Sequence, residues 1–462
     1  MSGPGARPAG VTARAARLTT AAVLLLVTLV GFEALAVATA MPTVAAALDG
    51  LALYPVAFGT TTATSVVGMV VGGLWCDRGR APWALWSGVL GFVLGLLVCG
   101  TAAHMLVVVL GRAVVGVGFG LVYVSLYVLV ARVHTPERRP RVFAAIAAAW
   151  VLPGLLGPLV AGTIVEAFGW RWVFLAVAPL AVPAALLLLP ALATLRHEPA
   201  TPPAAGDRSR VLRAVLAAVG VAVLYVGGQV QHHRAAGALL GLCGLALLAR
   251  SVPALLPPGT GSARRGLPAV VALRTLIGAS FTGAQVVLPL VLQVQRGLGP
   301  VGAGGILSVG LVAWAAGSWV QGRTAARVAA GTVARAGVAL MAGGTAAAAL
   351  LVWPAAPLLV GALGWAFAGL GMGLVFPTLA VVALGVSPVA EHGTSSGQLQ
   401  IGDSLGSALM LALTGAVFAA LVARSAPAAF LVCFAAAVLA AVLGTVVAGR
   451  VPSPQTSPDR PA

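Results

Sequence analysis

The chain has 462 residues, 60% of them hydrophobic and 8% charged, with a mean hydropathy of +1.05. That composition excludes a water-soluble fold with a polar shell and places the protein in a bilayer. The net charge of +17 does not point to nucleic acid, because all 27 basic residues are arginines scattered through the breaks between apolar runs, with no basic face or aromatic platform among them.

A spanning helix needs about 20 mostly apolar residues. Arg7, Arg14 and Arg17 precede the first such run, at about 18–40. It is too long for the core of a signal peptide and more spans follow, so it reads as a retained first helix. Further runs lie at about 53–75, 83–101, 105–131, 142–167 and 172–194. A polar, Pro-containing stretch at 196–213 breaks the pattern. Two shorter runs follow, 214–230 and 235–249, then a Pro/Gly-rich break, SVPALLPPGTGSARRG. Six more runs complete the chain, at about 269–293, 302–320, 333–352, 356–385, 394–423 and 427–449.

The predicted fold is an all-α integral membrane protein with fourteen transmembrane helices, arranged as two six-helix bundles with two extra helices between them. If the short middle pair lies along the interface as a linker, the count is twelve. The expected organisation is a cytoplasmic tail over 1–17, a first bundle over 18–194, a central segment over 195–268, a second bundle over 269–449 and a cytoplasmic tail over 450–462. With the N-terminus in the cytoplasm, Arg78, Arg80, Arg132, Arg138, Arg139, Arg141, Arg196, Arg208, Arg210, Arg213, Arg264, Arg265, Arg323 and Arg327 fall on the cytoplasmic side. Arg274 and Arg335, near the inner ends of their runs, are counted with them. Arg171, Arg234, Arg296 and Arg424 fall outside. This bias predicts both termini inside, in a multi-pass protein of the cell membrane.

An internal repeat defines the architecture further. LGRAVVGVGFGLV at 110–122 returns as LGWAFAGLGMGLV at 363–375, with every glycine in register at an offset of 253. GLWCDR, starting at Gly73, echoes in GSWVQGR, starting at Gly317. Two related bundles in the same orientation suit a transporter that rocks them around a central site. Gly111, Gly116, Gly118 and Gly120 supply the small-residue seam such motion needs.

Few charged residues lie deep in the runs. Of the ten Asp and Glu, Glu33 and Asp403 sit well inside predicted spans, and Arg112 lies inside another. An ionised carboxylate at mid-membrane costs about 2.5–3.5 kcal/mol, so its presence calls for a reason, and gaining and losing a proton is one. Arg112 is placed either to partner such a carboxylate and lower its proton affinity, or to make substrate and proton compete for one cavity. Asp403 also has a structural reading, because Gln398, Gln400 and Ser404 lie beside it in sequence. Gln285 and Gln293 are candidate polar groups of a substrate cavity. Cys76, Cys99, Cys243 and Cys433 have no paired spacing, and the six histidines lie near segment ends, so no metal site is expected.

Four motifs give the chain a family resemblance. Glu33 stands nine positions before Pro42 of Ala40-Met41-Pro42. GLWCDRGRAP carries Gly73, Asp77, Arg78 and Arg80, with Gly79 directly before Arg80. Arg112 lies in the fourth run. PGLLGPLVAG carries Gly154, Gly157, Pro158 and Gly162, with Ala161 where a glycine is usual, and is followed by GWRWVF. In that order they resemble the major facilitator superfamily, most closely its fourteen-helix drug:proton antiporters. The resemblance implies proton coupling through Glu33, Asp403 and Arg112, a cytoplasmic gate at Gly73, Asp77, Arg78 and Arg80, and an antiporter seam at Gly154, Gly157, Pro158 and Gly162.

The expected activity is efflux of small amphipathic molecules in exchange for protons by alternating access. The alternative is a proton-coupled or facilitative importer of a small nutrient on the same fold. No phosphate-binding loop of the G-x-x-x-x-G-K-[ST] type and no nucleophile with a base is present, so neither an enzyme nor a cofactor is expected. The expected partners are a small-molecule substrate, protons and the lipid bilayer, with a monomer as the default state.

Overall fold

The computed structural model describes residues 13–134, 142, 145–146, 149, 151–189, 192, 207–229, 234–324, 327–387, 392–422 and 424–452. It is helical throughout. In the first half the helices are α1 (Ala13–Ala47), α2 (Tyr54–Asp77), α3 (Ala81–Gly100), α4 (Met105–Val133), α5 (Val151–Phe168), and the short α6 (Arg171–Leu175) and α7 (Ala178–Leu186). The middle pair is α8 (Asp207–Gln229) and α9 (Arg234–Ser251). The second half holds α10 (Leu267–Leu290), α11 (Pro300–Thr324), α12 (Ala330–Ala349), α13 (Leu358–Val386), α14 (His392–Val422) and α15 (Ala426–Ala448).

Among the described residues, twelve helices are long and apolar enough to cross a membrane. The difference from fourteen does not fall where the sequence places it. Both middle helices are among the twelve, and α8 is longer than its apolar run because it starts at Asp207, so Arg208, Arg210 and Arg213 lie on its first turns rather than in a loop. The shorter apolar stretches are Leu156–Phe168 and Arg171–Leu186, the fifth and sixth of the first bundle. Parts of the runs expected there, 142–167 and 172–194, lie outside the described residues, as do His232 and His233.

The helices pack as two groups, each built on a glycine ladder. In the first, α4 is flanked by α2 and α3; in the second, α13 is flanked by α11 and α12. Glycine permits this proximity. A Cβ on Gly118 would lie 2.7 Å from the carbonyl oxygen of Gly88 in α3, and one on Gly371 would lie 2.7 Å from the backbone nitrogen of Met341 in α12. The turn after α2 needs a glycine for a different reason: Gly79 has φ of 71°, the left-handed region, and lets Arg80 N donate to Trp75 O at 2.8 Å.

The two ends of the molecule differ. The tail end carries the start of α1, the end of α15 and the turn at Gly79; Arg450 Nη1 donates there to Ser262 O at 2.7 Å. The distal end carries the connections from α1 to α2, α5 to α6 and α10 to α11. There the two groups are sealed together. Tyr54 Oη donates to Val286 O at 2.6 Å, and a Cβ on Gly162 of α5 would lie 2.8 Å from Val301 Cα of α11. α8 closes the seam between α2 and α14 at the same end, where Tyr225 Oη donates to Pro55 O at 3.2 Å.

Candidate functional site

Two buried ion pairs organise the interior. Glu33 on α1 and Arg112 on α4, both 3% exposed, meet as a salt bridge in which Arg112 Nη1 donates to Glu33 Oε1. The helical register aims both side chains at one another across an otherwise apolar wall. A lone carboxylate or guanidinium there would be strongly disfavoured, and each supplies the other's counter-charge. Thr61 on α2 donates to Arg112 O at 3.1 Å, tying the third helix of this corner to the pair.

The second pair corrects the sequence reading. Arg274, expected among the tail-end topology charges, is 4% exposed within α10, and its Nε lies 3.3 Å from Asp403 Oδ1 on α14. Its Nη1 donates to Phe376 O at 3.2 Å, and its guanidinium carbon lies 3.0 Å from the centre of the Phe376 ring on α13. Position within a run concealed this. At roughly 1.5 Å rise per residue, Arg274 is only about 10 Å from the start of α10, close enough to read as a flanking charge. The signal that distinguishes it is Asp403, since one deep carboxylate implies a cation within reach.

The remaining candidates fall in several places. Gln293 sits on a π-helical turn, Val291–Gln295, that extends α10; its Nε2 donates to Thr39 O at 3.1 Å and its Oε1 accepts from Thr43 Oγ1 at 3.4 Å. It therefore joins α10 to α1 at the distal end. Gln285 is half-buried on α10. The run of Gly154, Gly157, Pro158 and Gly162 follows one side of α5: Gly154 faces Leu311, Gly157 faces Leu35 and Phe32, and Pro158 O packs on Gly304. That side packs on α11 and α1, so Gly154, Pro158 and Gly162 meet the second bundle while Gly157 packs within the first.

At the tail end Gly73 is half-buried, Asp77 and Arg80 are exposed, and Arg78 is half-buried. Arg132 Nη2 donates to Cys76 O at 3.0 Å, tying the end of α4 to this turn. Sequence reasoning missed Glu166, whose Oε1 accepts from the backbone nitrogen of Val301 at 3.1 Å at the start of α11. It also missed an aromatic ladder on α4, where Phe119 and Tyr123 lie 5.6 Å apart and Tyr123 and Tyr127 stack at 4.7 Å. Among the described residues, no three His, Cys, Asp or Glu side chains gather as metal ligands.

Comparison with known proteins gives this arrangement its context. Over 365 residues the chain is 27% identical to the Multidrug resistance protein B homolog of Mycobacterium tuberculosis, covering 73% of this chain and 64% of that protein, so the chain spans less than two thirds of its relative's length. It is 22% identical to the Multidrug transporter protein MdtP of Bacillus subtilis over 390 residues, covering 82% of this chain and 71% of that one. Among solved structures, a peptide transporter POT in complex with sulfate superposes with a TM-score of 0.67 at 16% identity, over 94% of each chain. The xylose transporter XylE from E. coli in an inward open conformation superposes with a TM-score of 0.62 at 14% identity, over 95% of this chain and 97% of its own. The fold is shared with both, and the family model for the Major Facilitator Superfamily matches residues 23–411. The chain therefore belongs to the Major Facilitator Superfamily, as a multi-pass membrane protein.

Proposed function

We propose that the protein exports small amphipathic molecules across the cell membrane in exchange for inward-moving protons, by alternating access, and that Glu33 carries the coupled proton. The observation that carries this reading is the Glu33–Arg112 pair, two opposite charges in contact inside an apolar wall. Protonating Glu33 leaves Arg112 without its counter-charge and changes the charge of the wall by one unit. Proton binding then alters what the central path will accept. Relatives named as a multidrug resistance protein homolog and a multidrug transporter support export as the direction of movement.

The gate reading of Asp77, Arg78 and Arg80, the seam reading of Gly154, Gly157, Pro158 and Gly162, and the cavity reading of Gln285 and Gln293 belong to this same proposal. So do Asp403 as a second titrating group, the boundaries at 18–194 and 269–449, a monomer as the working unit, and both termini in the cytoplasm. The full count is fourteen, with the Leu156–Phe168 and Arg171–Leu186 stretches as parts of two further spans.

The test is transport by purified protein in proteoliposomes with an imposed pH difference. Glu33→Gln keeps size and hydrogen bonding while removing the titration. It should still exchange substrate across the membrane without accumulating it against a gradient. Wild-type apparent affinity should weaken as pH falls, because protons compete with substrate, and that dependence should flatten in the variant. Uphill movement that survives in Glu33→Gln with its pH dependence intact removes Glu33 from the coupling role, and substrate moving with the proton rather than against it turns the protein into an importer.

A further inference from the structure

The two ion pairs differ in access. Glu33 and Arg112 side chains are each 4% exposed, whereas Asp403 is 20% exposed beside an Arg274 that is 4% exposed. One turn before Asp403 on α14 stands Gln400, the first of a set of groups the transport reading does not use. Tyr123 Oη lies 3.4 Å from Gln400 Oε1, crossing from α4 to α14, and 3.0 Å from Tyr127 Oη. One hydroxyl proton serves one acceptor, so Tyr127 donates to Tyr123 whenever Tyr123 donates to Gln400. Tyr123, Tyr127 and Gln400 are all half-buried.

We infer that Tyr123, Tyr127 and Gln400, with the Arg274–Asp403 pair behind them, form a recognition subsite for uncharged planar aromatic molecules bearing a hydrogen-bonding group. The ring faces supply stacking surface, and the hydroxyls and amide supply both donors and acceptors. Charge determines the class. A cation arriving here must share Asp403 with Arg274, which already stands 3.3 Å away, and an anion must share Arg274 with Asp403. Either one separates a buried pair and leaves a charge uncompensated. An uncharged molecule disturbs neither.

This inference names the substrate class of the transporter proposed above and rests on that reading, but binding tests it without transport. Acridone, N-methylacridinium and acridinecarboxylate place one ring system in neutral, cationic and anionic forms. Equilibrium dialysis against the full chain in detergent, with no pH gradient, should rank acridone first. Tyr123→Ala should weaken acridone binding about tenfold and Tyr123→Phe by about threefold, the sizes expected for one aromatic contact and one hydrogen bond. Gln400→Leu should weaken it as Tyr123→Phe does. The subsite is overturned if either ion binds as tightly as acridone, or if acridone binding is unchanged in both Tyr123→Ala and Gln400→Leu. Proteoliposome flux of acridone that ignores a pH gradient, with the binding order intact, would remove proton coupling and leave the subsite standing.

Discussion

The two bundles use the same backbone device and fill it with different chemistry. Gly118 and Gly371 occupy equivalent rungs and press equally close to their neighbours, yet the residue at the equivalent earlier rung is Arg112 in α4 and Trp365 in α13. Arg112 meets Glu33; Trp365 stacks on Phe281 at 4.8 Å and its Nε1 donates to Leu307 O at 3.3 Å. The second bundle places its ion pair elsewhere, between α10 and α14. Arg112 is about 10 Å from the distal start of α4, and Arg274 about 10 Å from the tail-end start of α10, at roughly 1.5 Å per residue. A repeat thus preserves the packing that lets helices slide and leaves the charges free to diverge. One pair is buried on both sides and the other leaves its carboxylate partly exposed.

The largest expected difference comes from breaking each pair. Arg112→Ala leaves Glu33 buried without a counter-charge and should destabilise the protein by about 3–5 kcal/mol, read as thermal unfolding in detergent. Adding Glu33→Gln should restore much of that loss. Arg274→Ala should cost less, about 1–3 kcal/mol, because the Asp403 side chain is 20% exposed, against 4% for Glu33. Equal losses in the two variants would break the distinction between a sealed and an accessible pair.

The seam tests the shared half of the comparison. Gly116→Leu drives a side chain into Thr61 and Thr64, and Gly369→Leu drives one into the backbone of Gly310. Each should cost roughly 1–3 kcal/mol by overpacking and slow transport in protein that still inserts. Wild-type turnover in either variant would show that close approach along the ladder is not needed for movement.

The smallest expected effect is at the distal closure. Glu166 of the first bundle accepts from Val301 N at the start of α11 in the second, where a carboxylate also meets the positive end of the helix. Glu166→Gln should shift the balance towards opening at that end by about two- to fivefold, the range expected for one exposed helix-end charge. Cysteine accessibility of Val165→Cys, a buried position on α5 one residue before Glu166, would measure it; unchanged labelling on adding Glu166→Gln removes the contact from the gate.

Much of the site was legible because depth in a membrane is legible. Glu33, Arg112 and Asp403 stand out against long apolar runs, and the glycine ladder repeats at a constant offset. Arg274 was not, because distance from the end of a hydrophobic run does not reveal whether a long side chain turns to the interface or inwards. Glu166 and the Tyr123–Gln400 contact were hidden for another reason: each joins residues from different bundles, and local spacing carries no information on that pairing.

Composition, run length and the internal repeat by themselves determined that this is a helical membrane protein of two related halves, since the bilayer demands apolar spans with satisfied backbones and little else satisfies that demand. Only the tertiary structure decided which charges neutralise one another, which helices close the distal end, and that Asp403 keeps an open side. Those are properties of side-chain direction across helices whose contacting residues lie from 79 to 277 positions apart, which arise when the bundles pack and not before.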